Sequence, residues 1–453
     1  MDCRWCGSSL GVALSALAAG GCFSPEPSDS GTESASDASG SSGTSPGSLS
    51  QTGEGSGTSL GSQSGSEGDT TQGPSSATDT GPGTASATDT GPGDSDSGST
   101  GVPACDPIGP AGLPGENPGV IWIANSAQST ISKVDTTTLT EVGRYITRMD
   151  NAGSPSRTSV SLDGDVAVAN RNGGLTKYFG DTADCPDLNG NGVTDTSSGP
   201  LDVLAWDVEE CRAWHIPMLY TSQRPVAWTT GTLNESTCEQ DGEFVWTAGV
   251  INDTTIEVVL VDGDAGVIAD SVLIPEIAPN FYGLYGGAVD AEGDFWASQL
   301  GVGQLVHVDR ETMAYEIWPM VTSGYGMTVD TNGYVYTCSN VVGRFDPVME
   351  SWTTLAAAGG GGCAVDGQGM LWLANDPMVA VDTASFTVAG TIDLPEYVHG
   401  IGVAFDGNVW GISLGANAYR VDPATGLFDT VSGFVQAYTY SDMTGFALAS
   451  VAP

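Results

Sequence analysis

A five-residue pattern, Gly-x-(Ala/Thr)-(Val/Phe)-Asp, occurs four times in the last third of the chain and constrains its fold more than any other feature. The copies are Gly286–Asp290, Gly326–Asp330, Gly362–Asp366 and Gly402–Asp406, and by subtraction their starts lie 40, 36 and 40 residues apart. Each copy runs into a turn and then an apolar stretch that ends in Trp or Tyr. A period of about 40 residues built from short strands is typical of a β-propeller, in which each repeat forms one blade.

Weaker copies extend this array toward the N-terminus. Units begin near Val120, Ser159, Pro225, Gly286, Gly326, Gly362 and Gly402. This count predicts an all-β, seven-bladed propeller; six or eight blades would require one degenerate unit to be miscounted. The unit at Val120 lacks its first strand, and the chain ends in an isolated apolar segment, Thr444–Val451. We expect this C-terminal segment to be a strand that joins the first unit and closes the ring, which removes exposed sheet edges.

A second pattern marks the outer strands. Val-Asp or Phe-Asp followed by a turn recurs at Asp135, Asp309, Asp346, Asp382 and Asp422. We predict that these aspartates end the third strand of each blade, and that segments such as Thr387–Leu394 form the fourth strand.

The N-terminus resembles a bacterial lipoprotein signal. The apolar run Leu10–Ala19 is too short to span a bilayer and leads through small residues to Cys22. The resemblance implies that residues 1–21 are a signal peptide and that Cys22 becomes the lipid-modified N-terminus. The alternative is an ordinary secretory signal cleaved near Gly21, with Cys22 incidental.

Residues 22–104 are rich in Ser, Gly, Thr and Asp, with almost no large apolar residue and no Lys or Arg. Such a segment buries too little apolar surface to offset the entropy of ordering it, so we predict a disordered tether. We predict that residues 105–453 form the propeller. We therefore expect a protein attached to a membrane of the bacterial cell envelope through a lipid, at the outer membrane or cell surface or facing the periplasm.

The charge balance excludes one class of partner. The chain has 12 Lys and Arg against 55 Asp and Glu, a formal net charge of −43. Nucleic acid binding depends on cationic side chains that displace counterions from phosphates. We expect no nucleic acid partner.

The repeat resembles the virginiamycin B lyase-like and NHL/SMP-30-type propellers, through the pattern G-x-A-V-D-x-x-G-x-φ-W over most of residues 105–453. The segment Thr439–Gly445 also resembles lipoprotein members of that wider group. In the lyase, the resemblance implies a Mg²⁺-assisted elimination that opens a cyclic peptide ester, with a His as base and Glu residues nearby.

His399, with Glu396 three residues before it, is the candidate for this base–carboxylate pair in the present chain. The residues that immediately precede the repeated pattern are Tyr285, Tyr325, Gly361 and Ile401 rather than a ring of His and Glu. The other two histidines, His215 and His307, lie in apolar strand patterns, where packed or solvent-facing positions are expected.

One loop has the spacing of a calcium site. The segment Asp187–Asp195 reads D-x-N-x-N-G-x-x-D, which matches the start of an EF-hand loop. The predicted ligands are the side chains of Asp187, Asn189, Asn191 and Asp195 and the carbonyl of Val193. The twelfth position is Ser198 instead of Glu, and no helix pattern flanks the loop, so we predict a structural Ca²⁺ clip. An Asn/Gly-rich turn without an ion is the alternative.

Six cysteines lie in the predicted propeller, and an even number in an exported domain favours disulfides. Cys338 and Cys363 fall on inner strands of consecutive units, so we predict that they pair. Cys105, Cys185, Cys211 and Cys238 allow three pairings.

From these features we expect a monomeric binding or recognition module for an extracellular or periplasmic protein, peptide, glycan or small ligand. The alternative is a metal-dependent lyase or lactonase of the virginiamycin B lyase or SMP-30 type, with Mg²⁺ at the central channel. A third class, an assembly scaffold, would require exposed apolar surface.

Overall fold

The computed structural model describes residues 119–357 and 359–452, together with the backbone of a short strand pair, β1 (Pro107–Ile108) and β2 (Leu113–Pro114). The predicted signal peptide, Cys22 and the predicted tether lie outside the described residues. No helix in the described part is long and apolar enough to cross a membrane.

Seven antiparallel sheets follow one another along the described chain, each with its strands in sequence order. Blade 1 contains β3 (Val120–Asn125), β4 (Thr130–Asp135) and β5 (Thr140–Ile146), with a 3₁₀ turn at Ser126–Gln128; blade 2 contains β6 (Pro155–Val160), β7 (Val166–Asn170), β8 (Leu175–Tyr178) and β9 (Arg212–Ile216); blade 3 contains β10 (Ser222–Trp228), the inserted hairpin β11 (Thr232–Asn234) and β12 (Glu239–Asp241), and then β13 (Phe244–Ile251), β14 (Thr255–Asp262) and β15 (Ile268–Ile274).

Blade 4 contains β16 (Leu284–Val289), β17 (Phe295–Gln299), β18 (Gln304–Val308) and β19 (Tyr315–Pro319); blade 5 contains β20 (Gly326–Val329), β21 (Val335–Cys338), β22 (Val341–Asp346) and β23 (Ser351–Ala356); blade 6 contains β24 (Cys363–Val365), β25 (Met370–Leu373), β26 (Met378–Asp382) and β27 (Thr387–Ile392); blade 7 contains β28 (Val398–Val403), β29 (Val409–Ser413), β30 (Asn417–Val421) and β31 (Phe428–Ser432). The first strands of neighbouring blades pack against one another around the ring. The prediction of seven blades is confirmed.

The C-terminal part of the chain closes the ring, but the predicted closing strand is wrong in detail. Residues upstream of it pair with β3: Ala437 forms an antiparallel bridge with Asn125, and the backbone N–H of Trp122 donates to the carbonyl of Met443. The segment predicted as a strand, Thr444–Val451, instead contains the helix α1 (Phe446–Val451).

Local capping explains why this apolar segment is helical. The Asp442 carboxylate accepts hydrogen bonds from the backbone N–H groups of Thr444, Gly445 and Leu448. Gly445 has a φ of 85°, which glycine adopts readily, and it starts the helix. The apolar pattern of this segment fits a buried strand as well as a buried helix. In the structure the segment forms a helix that is buried at the ring axis.

The repeated pattern encodes one hydrogen-bonded turn. In blade 6, Oδ1 of Asp366 accepts from the backbone N–H groups of Gln368 and Met370, and Oδ2 accepts from the indole N–H of Trp372 at 2.8 Å. Asp290 and Asp330 make the equivalent bonds, to Trp296 and Tyr336 six residues further on. The aspartate therefore holds both the turn and the aromatic ring that packs between blades.

The second pattern caps the outer turns. The carboxylates of Asp135, Asp309, Asp346, Asp382 and Asp422 each accept from backbone N–H groups two or three residues later. These bonds form between the third and fourth strands, as the sequence predicts.

Two disulfides are fully described. Cys338 and Cys363 are joined, which links blade 5 to blade 6, and Cys185 is joined to Cys211 across the long insertion between β8 and β9. Cys238, in the hairpin inserted into blade 3, is disulfide-bonded as well. Disulfides are typical of an oxidising, extracytoplasmic compartment.

Candidate functional site

At one face of the ring, where the inner strands begin, polar and aromatic side chains meet near the axis. We call this group the axial cluster. Its members come from five different blades and from the closing segment: Arg157, Arg224, Tyr285, Tyr325, His399, Tyr438 and Tyr440. Arg157 is fully buried, and every other member except Tyr438 is at most 8% exposed.

Irregular strand pairing directs two of these side chains to the cluster. The register shifts between Leu284 and Gly286, and again between Val398 and Gly400, so that Tyr285 and His399 each occupy a β-bulge. A bulge changes the direction of a side chain without ending the strand.

The strand register also shows which residue of blade 7 is equivalent to Tyr285 of blade 4. Trp296 pairs with Ala288 in blade 4, whereas Trp410 pairs with Gly402 in blade 7. The pattern in blade 7 is therefore offset by two residues, and the residue equivalent to Tyr285 is His399 rather than Ile401. The turns of the two blades are equally long, but Asp406 lies four residues before Trp410 whereas Asp290 lies six before Trp296. The Trp410 indole N–H has no hydrogen-bond partner in the described structure.

Hydrogen bonds connect the ring side chains of the cluster. Nε2 of His399 lies 2.6 Å from the Tyr325 hydroxyl, and Nδ1 lies 3.0 Å from the Tyr397 hydroxyl. The Tyr325 hydroxyl is in turn hydrogen-bonded to that of Tyr438, and the Tyr438 and Tyr285 hydroxyls are 2.8 Å apart. The histidine is thus the centre of a network of neutral hydroxyl groups.

Burial determines the protonation of this network. It raises the pKa values of Tyr285 and Tyr325 well above the ordinary tyrosine value. Burial, with a contribution from the charge of Arg157, lowers the pKa of His399 to about 3. At neutral pH the imidazole and the phenols are uncharged, and a base of such low pKa is poorly matched to proton abstraction.

The predicted pairing of His399 with Glu396 is not present. The Glu396 carboxylate accepts hydrogen bonds from the amide of Asn417 at 2.7 Å and the hydroxyl of Tyr419 at 2.8 Å. Both ring nitrogens of His399 contact tyrosine hydroxyls instead. Glu396 lies before β28 and His399 within it, and the bulge turns the imidazole toward the axis.

At the other end of the axis, α1 fills the channel. Phe446, Leu448 and Ala449 are buried. A cavity of about 40 Å³ remains between α1 and the inner strands, lined by small residues such as Ser159, Gly287 and Gly402. This volume is on the scale of a single water molecule, so the space beside α1 is too small for a substrate.

The other two histidines lie away from the axial cluster. His307, half-buried in β18, has Nε2 3.1 Å from Oδ2 of Asp294, and with Asp290 these residues are the group of three metal-ligating side chains found in the described structure. Asp290 already accepts from its turn and from Trp296. His215 contacts the Thr176 hydroxyl, and burial lowers its pKa to about 4.

The calcium-like loop folds around its first residue. The Asp187 carboxylate accepts from the backbone N–H groups of Gly190, Asn191 and Gly192. The side-chain amides of Asn189 and Asn191 both contact Oδ2 of Asp195, at 2.7 and 2.8 Å. Four of the predicted ligand residues are therefore close together; three are exposed and Asp195 is partly buried.

Sequence reasoning missed a residue that orders this loop. The carboxylate of Glu210 accepts from the backbone N–H groups of Leu188, Asn189 and Asp195. Glu210 immediately precedes Cys211, and the Cys185–Cys211 disulfide brings Glu210 to the loop. Its position next to Cys211 is the only sign of this role in the sequence.

The fold and the site together define a seven-bladed β-propeller whose axis is closed at one end by aromatic and cationic side chains and at the other by a helix. No family model matches the chain, and a search of curated proteins finds no similar sequence.

Solved structures with a similar fold include virginiamycin B lyase from Staphylococcus aureus, with 13% identity and a TM-score of 0.44 over 62% of this chain and 84% of that one. A streptogramin B lyase has 14% identity and a TM-score of 0.48 over 69% of this chain and 91% of that one. Dihydro-heme d1 dehydrogenase NirN has 11% identity and a TM-score of 0.43 over 71% and 65%. The propeller fold that the sequence resemblance implies is confirmed by the seven sheets of the described chain.

Proposed function

We propose that this protein is a recognition module of the bacterial cell envelope that binds its ligand at the axial cluster. The observation that carries the proposal is the chemistry of the cluster. It combines guanidinium groups, phenol hydroxyls and a neutral imidazole, and among the described residues no carboxylate accompanies His399. Aromatic and arginine side chains are the groups that dominate binding sites in proteins.

The metal-dependent lyase or lactonase remains the alternative, with less support. Its chemistry requires a base and metal-ligating carboxylates at the same place. His399 is held between tyrosines, whereas Glu396 is engaged by Asn417 and Tyr419. Asp290, Asp294 and His307 do meet, but Asp290 lies at the opposite end of its inner strand from Tyr285.

The entry of the chain into the propeller suits a tethered module. β3 ends at Asn125, which bridges to Ala437 next to Tyr438 of the axial cluster, so Gly119 at the other end of β3 lies on the opposite face. We propose a lipid anchor at Cys22 and a tether over residues 22–104 that leads into the propeller.

Hydrogen–deuterium exchange on the full-length protein tests this function. The protein would be incubated with pools of envelope peptides, glycans and small metabolites, and the pools would be analysed by mass spectrometry for chemical change. We expect a pool to protect segments 282–285, 397–399 and 438–440 without being converted. Conversion of a pool member, or protection confined to the α1 face, would contradict the proposal.

A further inference from the structure

The most unusual charge in the propeller is that of Arg157. Its side chain is fully buried, and its guanidinium donates to the backbone carbonyls of Tyr285, at 2.8 and 3.1 Å, and Tyr440, at 3.4 Å. The ion pairs of the described residues involve Arg144, Arg148, Lys177, His307 and Arg420 but not Arg157. A buried charge without a counterion is costly.

A second arginine lies beside it. The guanidinium carbon of Arg224 is 5.2 Å from the centre of the Tyr285 ring, and that of Arg157 is 4.7 Å from the same ring. Arg224 is 8% exposed, and its Nε has no hydrogen-bond partner in the described structure. Two cationic groups therefore share one aromatic ring, in a protein whose formal net charge is −43.

Neutral hydroxyl groups around the same ring also lack acceptors. The Tyr440 ring packs against the Tyr285 ring at 5.9 Å, and the Tyr440 hydroxyl is buried without a partner among the described residues. The neighbouring Thr439 is 1% exposed, and its hydroxyl has no partner among the described residues either. Buried donors of this kind are uncommon in native proteins, because each one loses its hydrogen bond to water.

The two arginines lack a negative charge nearby, and the two hydroxyls lack an acceptor. A single negatively charged acceptor would satisfy both. We infer that the axial cluster binds a carboxylate group of the ligand, held by Arg224 and the Tyr440 hydroxyl and neutralising the charge of Arg157. A planar carboxylate matches the fork of a guanidinium. It is also smaller and less charged than phosphate, which suits a buried aromatic site in a strongly acidic protein. This inference rests on the proposed recognition function and specifies the group that is recognised.

The test uses acetate and acetamide, which have nearly the same shape and differ in charge. Each would be titrated into the full-length protein at constant ionic strength, with the melting temperature and the tyrosine fluorescence recorded. We expect acetate to give a saturable rise in both signals and acetamide to give none. Phosphate forms the third arm, and we expect it to bind more weakly than acetate.

Substitutions of single residues show where acetate binds. Arg224→Gln and Tyr440→Phe should each weaken acetate binding by about tenfold, which corresponds to about 1.4 kcal/mol. Arg420→Gln, on the outer surface and paired with Asp429, is the matched control and should leave the binding unchanged. Arg224 is 8% exposed whereas Arg157 is fully buried, so Arg224→Gln keeps the test usable even if Arg157→Gln fails to fold.

Equal effects of acetate and acetamide, or acetate binding that survives Arg224→Gln and Tyr440→Phe, would overturn the inference. Saturable binding of phosphate in the absence of acetate binding would also overturn it. The recognition function would still stand in those cases if an uncharged ligand protected the cluster in the exchange experiment, so the two failures are distinguishable.

Discussion

The imidazole Nε2 of His399 lies 2.6 Å from the hydroxyl oxygen of Tyr325, although the two residues belong to different blades and are 74 positions apart in the chain. This contact occupies the histidine that sequence reasoning assigned to acid–base chemistry. It also connects the imidazole to the hydroxyls of Tyr438 and Tyr285. The network makes His399 part of the axial cluster.

Removing the Tyr325 hydroxyl tests the importance of this network. Tyr325→Phe leaves His399 and Tyr438 without their shared partner, and we expect a loss of about 1–3 kcal/mol in the free energy of unfolding. Urea denaturation measures this loss. Tyr315→Phe is the control, because its hydroxyl contacts Glu276 at the surface and should matter much less. Equal losses for the two variants would show that the network adds no more to the free energy of unfolding than an exposed hydrogen bond does.

The aspartate of the repeated pattern should stabilise the fold more than the aspartate that caps an outer turn. Asp366 accepts two backbone bonds and the Trp372 indole bond. We expect Asp366→Ala to destabilise the protein by roughly 2–3 kcal/mol, since a charged acceptor with three partners is lost. Asp382→Ala removes an exposed turn cap in the same blade and should cost less. The measurement is again urea denaturation, and a larger loss for Asp382→Ala would contradict the assigned role.

Two buried carboxyl groups between blades 2 and 3 predict a pH dependence. Oδ1 of Asp163 and Oε1 of Glu243 are buried without partners in the described structure. Burial raises the pKa of Asp163 to about 7, and it raises that of Glu243 well above its ordinary value. The folded state therefore holds these protons more tightly than the unfolded state does, and stability falls as pH rises from about 4 to about 7.

We expect the protein to be on the order of 1–2 kcal/mol more stable at pH 5 than at pH 8, and Asp163→Asn to remove much of this difference. Asp165→Asn is the contrasting variant, because Asp165 forms an ion pair with Lys177 at 2.7 Å. It should destabilise the protein at both pH values. A wild-type protein that gains stability between pH 5 and pH 8 would contradict the prediction.

Calcium is expected to bind at Asp187–Asp195, where the spacing matches an EF-hand loop and the side chains of Asn189 and Asn191 contact Asp195. Melting temperatures measured with Ca²⁺ and with a chelator should differ by a few degrees, because an ion that binds only the folded state stabilises it. Asp187→Asn should abolish the difference. Asp207→Asn, exposed in the same insertion, is the control and should preserve it. A chelator without effect on the wild type favours a turn that binds no ion.

The sequence predicts the blades because the hydrogen bonds that form their turns join residues close together in the chain. Asp366 and Trp372 are six residues apart, so the repeated pattern already contains the bond that forms. The axial cluster has no such local signal, since Arg157 and Tyr440 are 283 residues apart. The bulge at His399 and the shifted position of Asp406 in its turn decide which residues of blade 7 match those of blade 4, and neither changes the apolar pattern. The segment of α1 was predicted as a strand because its apolar pattern fits both structures. The Asp442 cap and burial at the axis make it a helix.

A crystal of the full-length protein soaked in bromide tests the central claim, an anion site at the ring axis, most directly. Bromide scatters anomalously and reports where a buried cation lacks a counterion. We predict an anomalous peak beside Tyr285, within contact distance of the Arg224 guanidinium and the Tyr440 hydroxyl, and its disappearance on adding acetate. Bromide found only at surface arginines such as Arg420, with none at the axial cluster, would contradict the account.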